Sequence, residues 1–315
     1  MKSLNKEMHA KYETISQCNL CGSSETKVVD KKGHIVQCKR CGLRFVSLRP
    51  SQDDISKAYD WSYVNSLGWG KVDIEARSMY KRRADFLNKF IQKGKILDVA
   101  AGLGEFLSHI KRTNRWECFG TETSRYAVEY AKKELDIKLS FGQFEDLCYP
   151  ESFFDAVCFW HALEHLPYPS KAIEEAARVL KENSFLFIAV PNDSWLGRPH
   201  FFKNALKKAI NRLPMRKKLK LKKMYPEIDE EGNKHLFYFT PRTLTKLLET
   251  HGFEIKKYSV DYDYGKLDPK LEKKYRFDLL FCRITKVNLS NAVLIAAQKR
   301  KDRKSCLNRN IQKEE

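Results

Sequence analysis

The residues best placed to do chemistry cluster in Ile96-Leu-Asp-Val-Ala-Ala-Gly-Leu-Gly104 and, 18 residues beyond Gly104, at Glu122. Gly102 and Gly104 carry no side chains, so the backbone there turns sharply and lets a ligand approach closely. A dinucleotide fingerprint requires a third glycine where this chain has Leu107, which argues against a pyrophosphate ligand. Asp98, four residues before Gly102, is instead placed to face a cation, as S-adenosylmethionine provides. Glu122, with the adjoining Thr123, stands where a carboxylate accepts ribose hydroxyls. The plain alternative is a strand-to-helix turn with one buried and one exposed acid.

A second set has metal-ligand spacing. Cys18-x2-Cys21 and Cys38-x2-Cys41 are separated by 16 residues, and a glycine follows each pair, Gly22 and Gly42. Four thiolates on two tight knuckles suit one tetrahedral Zn²⁺ with no open position, a structural site. Two disulfides or a redox dithiol are the alternatives, and the duplicated Cys-x-x-Cys-Gly disfavours both. A module this small has too little core to hold itself, so the metal supplies stability.

A third set is His161 and His165, at the exit of the apolar run Phe154–Trp160. Either imidazole could serve as a base if the acceptor carries a proton; the competing roles are a buttress for His161 and a structural one for His165. His161-Ala-Leu-Glu-His165 also spells a metallopeptidase arrangement, but zinc ligation at that spacing needs a continuous helix. A strand enters here, and Pro167 and Pro169 break the exit.

These segments, in order, resemble class I S-adenosylmethionine-dependent methyltransferases. Leu97–Gly104 resembles motif I, usually LDVGCGxG. Phe141–Leu147 resembles the loop after the third strand, Phe154–Leu166 the fourth strand and its exit, Val179–Asn192 the approach to the fifth, and His235–Phe253 completes the pattern. The resemblance covers residues 94–260 and implies that Asp98, Ala100, Gly102, Gly104, Glu122 and Thr123 hold the cofactor, with Gln143 and Phe144 near adenine. Two positions depart from the family: Ala100 replaces a usual glycine, and Gln143 stands where an acid often meets the adenine amino group. A glutamine carbonyl accepts the same hydrogen bond. With the cysteines, the chain looks like a zinc-ribbon-bearing subgroup acting on small molecules, glycans or lipid-linked intermediates.

The elements that must position these residues follow from periodicity. Strands are expected near 95–100, 116–121, 137–141, 154–160 and 185–190, and helices near 104–113, 124–134, 170–181 and 240–251. Such alternation implies a doubly wound, Rossmann-like α/β fold with ligands at the strand C-termini. A last pair of strands near 254–261 and 291–297 fits the family's seven-stranded sheet with an antiparallel seventh strand. The expected organisation is a zinc ribbon over 1–50, a helical lead-in over 51–93, a methyltransferase domain over 94–298 with a basic insert at 195–234, and a disordered basic tail over 299–315. In the lead-in, Met79, Phe86, Leu87, Phe90 and Ile91 fit a buried stripe.

Of the net charge of +19, eleven Lys and Arg residues, with no acid, lie between Trp195 and Tyr225. Phe202, Leu206, Ala209 and Leu213 share one helical face there, and Lys203, Lys207 and Arg212 lie off it. A basic amphipathic helix over residues 198–224 suits an anionic membrane surface or a polyanion; a lid helix with a solvated basic face is the alternative. No apolar run of about 18 residues or signal-peptide core is found. The expected setting is cytoplasmic, with peripheral contact at the inner membrane face. Nucleic-acid methylation is a rival reading, from the ribbon and insert. Against it, the strand-four exit lacks Asn/Asp-Pro-Pro-Tyr/Phe, there is no Pro-Cys pair, and no basic run is interleaved with stacking aromatics. A cofactor-binding protein without catalysis is the third reading.

Overall fold

The structure, a computed structural model, describes residues 12–31, 34–51, 54–57, 78–194, 235–262, 269–285 and 287–300. The basic insert and residues 301–315 of the tail lie outside the described residues.

A seven-stranded sheet forms the centre. It is built from β6 (Gly94–Val99), β7 (Trp116–Glu122), β8 (Ser140–Phe141), β9 (Phe154–Trp160), β10 (Leu180–Pro191), β12 (Phe253–Asp261) and β13 (Ala292–Lys299). The order across it is β12-β13-β10-β9-β6-β7-β8. β10, β9, β6, β7 and β8 run parallel, and β13 is antiparallel to both β10 and β12. The fold is thus Rossmann-like α/β with an antiparallel seventh strand. From β6 the chain winds outward through β7 and β8, then crosses to β9 on the other side of β6. That reversal opens a crevice at the carboxyl ends of β6, β7 and β9, where such sheets take ligands.

Helices cover both faces because their apolar residues repeat every three or four positions. They are α1 (Ser78–Leu87), α2 (Glu105–Lys111), α3 (Arg125–Leu135), α4 (Pro169–Val179), α5 (Pro241–Thr250) and α6 (Pro269–Thr285). In α4 the buried stripe is Ala172, Ile173, Ala176 and Val179, with Pro169 at the first turn. α5 begins at a capping box in which the hydroxyls of Thr240 and Thr243 accept each other's backbone N–H. Met79, Phe86 and Leu87 of α1 are buried as expected.

Two strands and one helix depart from what was read in the sequence by more than a few residues. The strand expected at 137–141 pairs only at Ser140 and Phe141. Asp136 ends α3 in a left-handed conformation (φ 53°), and Ile137 and Leu139 enter the core without joining the ladder. β10 begins at Leu180, which pairs with Phe154 before a bulge and the run from Phe185. α6, between β12 and β13, has no counterpart among the sequence expectations. Among the described residues no helix is long and apolar enough to cross a membrane.

The cysteine-bearing end forms β1 (Tyr12–Thr14), β2 (Thr26–Asp30), β3 (Ile35–Cys38), β4 (Arg44–Val46) and β5 (Leu48–Pro50). β11 (Phe237–Tyr238) joins it antiparallel to β4, giving the order β11-β4-β3-β2. Leu43 and Phe45 belong to the same buried cluster as Phe159, Phe237 and Leu244. Arg44 is ion-paired to Asp193 at 2.9 Å, and Asn19 accepts hydrogen bonds from the N–H and hydroxyl of Ser170. The cysteine module is therefore stitched into the main core.

Candidate functional site

β6 breaks at Ala100, and the turn that follows holds Ala100, Gly102 and Gly104 at φ 54°, 58° and 77°. Left-handed backbone is free for glycine but costs an alanine about 1 kcal/mol. Gly104 has a second constraint: a Cβ there would lie 3.2 Å from Ala131 and 3.3 Å from Ile137. The backbone N–H of Ala101 donates to the Thr121 carbonyl, so the turn is tied to β7.

At the end of β7, Glu122 is 5 % exposed. Its Oε2 accepts the Gly102 N–H at 2.9 Å, and its Oε1 accepts those of Thr123 at 2.7 Å and Ser124 at 3.0 Å. Burial raises its pKa, and these hydrogen bonds oppose the rise. The carboxylate thus binds the turn to the start of α3. With the Thr123 hydroxyl 3.5 Å from Oε1, four donors face its roughly four lone-pair positions. Accepting two ribose hydroxyls would require two of these bonds to be shared or given up, a restriction the spacing alone did not reveal.

Asp98, next to the turn, is 3 % exposed, and no hydrogen bond from the described residues reaches its carboxylate. Burial pushes its pKa up to about 8; the nearby Arg83 cation counteracts this, and Glu122 adds to it. A buried acid without hydrogen bonds is costly to ionise until a cation joins it.

On the other side of the crevice, β9 ends at Trp160, and His161 takes a left-handed φ of 54°. Its backbone N–H donates to the Ala189 carbonyl of β10. The imidazole Nε2 lies 3.1 Å from Oδ2 of Asp261, and Nδ1 lies 3.5 Å from Glu164. The same Asp261 oxygen accepts Nε and Nη2 of Arg83 at 3.1 and 2.7 Å. Although burial opposes ionisation of Asp261, Arg83 and His161 hold its carboxyl well below the usual range. Arg83 also lies over the Trp160 ring at 5.2 Å. Residues 161–165 form no helix, consistent with setting the metallopeptidase spacing aside.

His165 follows on the same turn, its ring 4.8 Å from that of His235. Gln143 donates through Nε2 to the Ser56 hydroxyl at 3.3 Å. The Phe144 ring is buried against Phe159 and Tyr149, which leaves only its backbone for an adenine.

The four cysteines also converge. Cys18 Sγ lies 3.5 Å from that of Cys41, and Cys21 Sγ 3.5 Å from that of Cys38, while all four sulfurs lie within 4.8 Å of one another. A disulfide would bring sulfurs to about 2.05 Å, whereas sulfurs about 2.3 Å from a shared Zn²⁺ stand a little under 4 Å apart. Gly22 and Gly42 close the two knuckles at φ 69° and 84°, their N–H groups donating to the carbonyls of Cys18 and Cys38. Burial pushes Cys18 up and Cys41 up to about 11. At Cys38 burial is outweighed by hydrogen bonds from Cys41, Cys21 and Arg40, which bring it to about 7.

Arg83, Asp261 and His235 were not singled out in the sequence as site residues. Arg83 had a readable signal, a charge within the apolar stripe from Met79 to Phe90. Asp261 and His235 had none of their own, since their roles depend on β12 and β11 reaching the end of β9.

A family model described as a methyltransferase domain matches residues 73–258. Among curated proteins, an uncharacterized protein of Methanocaldococcus jannaschii is 32% identical over 127 residues, which is 39% of this chain and 58% of that protein. Ajmaline N-methyltransferase of Rauvolfia serpentina is 32% identical over 100 residues, covering 30% of this chain and 34% of the enzyme. The chain therefore spans only part of the length of the curated relatives it matches. Among solved structures, an S-adenosylmethionine-dependent methyltransferase of Thermotoga maritima aligns at TM-score 0.50 and 18% identity, over 78% of this chain and 100% of that one. The [4+2]-cyclase SpnF aligns at TM-score 0.53 and 18% identity, over 80% and 98%. At such identity these two establish the fold alone.

Proposed function

Because the chain belongs to the methyltransferase domain family, we propose that it moves a methyl group from S-adenosylmethionine to a small molecule, glycan or lipid-linked intermediate. The observation that carries the reading is the pairing of Glu122, hydrogen-bonded to the Gly102 turn, with the buried Asp98 beside it, whose carboxylate receives no hydrogen bond from the described residues. Bound S-adenosylmethionine supplies an electrophilic methyl group on a sulfonium. Asp98 offers that cationic ligand an opposite charge in a dry setting, and Glu122 offers acceptors to its ribose. The turn from Ala100 to Gly104 lets the ligand lie against backbone, and Gln143 presents an amide near the adenine position. The rest of the acceleration is alignment, since an in-line displacement gains most from holding donor and acceptor close.

His161 is the proposed base where the acceptor carries a proton. Asp261 faces its Nε2 at 3.1 Å and Glu164 its Nδ1 at 3.5 Å, so proton uptake would use Nδ1 once that longer contact opens, with Asp261 stabilising the imidazolium. The ribbon is proposed to hold structural Zn²⁺ through Cys18, Cys21, Cys38 and Cys41. Its strand β4 carries β11, and with it His235, to the mouth of the crevice. That stitching favours a structural role for the ribbon over a free RNA-binding arm. A peripheral membrane contact through residues 198–224 is proposed from sequence alone.

Calorimetry with S-adenosylmethionine tests the donor, and absence of binding by zinc-replete protein would overturn it. Transfer of an isotopic methyl label into host extracts, fractionated into metabolites, glycolipids and RNA, tests the acceptor class. Label recovered in RNA would replace the proposed class. Liposome flotation, with and without residues 198–224, tests the membrane contact.

A further inference from the structure

Glu164 stands out among the buried acids of the molecule. It is 1 % exposed, and among the described residues neither carboxylate oxygen has a hydrogen-bond partner. Three imidazoles surround it instead. His161 Nδ1 comes within 3.5 Å and His165 Nε2 within 3.9 Å of its Oε1, and His235 completes the group. A buried carboxylate without hydrogen bonds, facing imidazoles that can offer lone pairs, lacks a cation rather than a proton donor.

We propose that Glu164, His165 and His235 bind a first-row divalent cation of the Zn²⁺, Co²⁺ or Fe²⁺ type, at a site separate from the four cysteines. One ligand atom from each of the three lies within 4.8 Å of the others. Metal–nitrogen and metal–oxygen bonds of about 2.0–2.2 Å need only a modest contraction from there. The backbone fixes the arrangement: the N–H groups of Leu236 and Phe237 both donate to the Glu164 carbonyl, at 2.8 and 3.1 Å. The segment carrying His235 is thereby locked to the turn carrying Glu164 and His165. Two imidazoles with one carboxylate select borderline transition metals over Mg²⁺ or Ca²⁺, which prefer all-oxygen shells. His161, between Glu164 and the Asp261–Arg83 pair, forms the outer shell that orients the carboxylate. Three protein ligands leave at least one coordination position open at the carboxyl end of β9. Resting on the methyl-transfer reading, that position would take the oxygen of an acceptor hydroxyl or phenol and lower its pKa, so that its proton leaves to solvent and the oxygen forms its bond to the methyl carbon as the methyl–sulfur bond of the donor breaks.

The test is a Co²⁺ titration of full-length protein carrying one equivalent of zinc, followed by absorption spectroscopy. The expected result is one further equivalent bound, with ligand-field bands and no intense thiolate-to-cobalt charge transfer. Glu164→Gln, which preserves volume, and His235→Ala should each weaken Co²⁺ binding by about 100-fold and leave the zinc content at one. Failure to bind Co²⁺, a spectrum dominated by thiolate charge transfer, or affinity unchanged in both variants would overturn the site. Should one variant misfold, the other decides; should both misfold, the wild-type spectrum decides. Binding of S-adenosylmethionine is measured in parallel by calorimetry, so failure of the metal site and failure of the donor assignment give separate results.

Discussion

The proton on Asp98 makes cofactor affinity depend on pH. Burial places its pKa at about 8 in the free protein, so only about a tenth of the carboxyl is ionised at pH 7. A cationic ligand requires the ionised form, and apparent affinity scales with the fraction already competent. That fraction rises about ninefold from pH 6 to 7, about fivefold from 7 to 8, and little above 9. Binding at pH 7 should release about 0.9 proton per cofactor. Calorimetry across this range, in buffers of different ionisation enthalpy, reads both quantities. Asp98→Asn isolates the carboxyl from any titration of the ligand itself and should flatten the profile. A wild-type affinity constant between pH 6 and 8, or an identical slope in Asp98→Asn, would refute the reasoning. The same shift has a signed effect on folding. Asp98 titrates near 4 when unfolded and near 8 when folded, so its contribution to stability is present below about pH 4 and is lost as pH rises through about 8. Asp98→Asn should remove this component of the decline in stability between those limits, as followed by urea denaturation.

Glu122→Ala should weaken cofactor binding by about tenfold or more, with loss of the acceptor for the Gly102, Thr123 and Ser124 N–H groups also loosening the turn; unchanged calorimetric affinity would remove its ribose role. Ala100→Gly should relieve left-handed strain of about 1 kcal/mol, partly offset by unfolded-chain entropy, and leave a gain of a few tenths of a kcal/mol in urea denaturation. Cys38→Ser, or zinc chelation, should lower the melting temperature by several degrees and perturb the His235 ring signals in NMR spectra, because β4 carries β11.

The alternation of strands and helices, the cysteine pairs and the turn after β6 were all legible in the sequence, because each depends on local periodicity or on spacing within a few residues. Strand 154–160 coincides with β9, where an apolar run is bounded by turns on both sides. The expected strand at 137–141 shortened because Ile137 and Leu139 satisfy the same apolar pattern by entering the core without a partner strand. α6 was missed because its apolar periodicity is weak, with Phe277, Leu280 and Ile284 exposed.

The sequence by itself determined the class of fold, a glycine turn lacking the third glycine of a dinucleotide fingerprint, and the four sulfurs able to share a metal. In each case the chemistry sits on residues close in the chain, so spacing is enough. Only the tertiary structure decided what faces His161 and Glu164. Asp261 from β12, itself ion-paired to Arg83 of α1, and His235 beside β11 reach them from segments up to 100 residues away, brought together by the sheet order and by a ribbon strand paired to β11. Burial, too, belongs to the fold: an aspartate reads the same in any sequence, and its surroundings in the folded protein leave Asp98 protonated at neutral pH while Asp261 stays ionised.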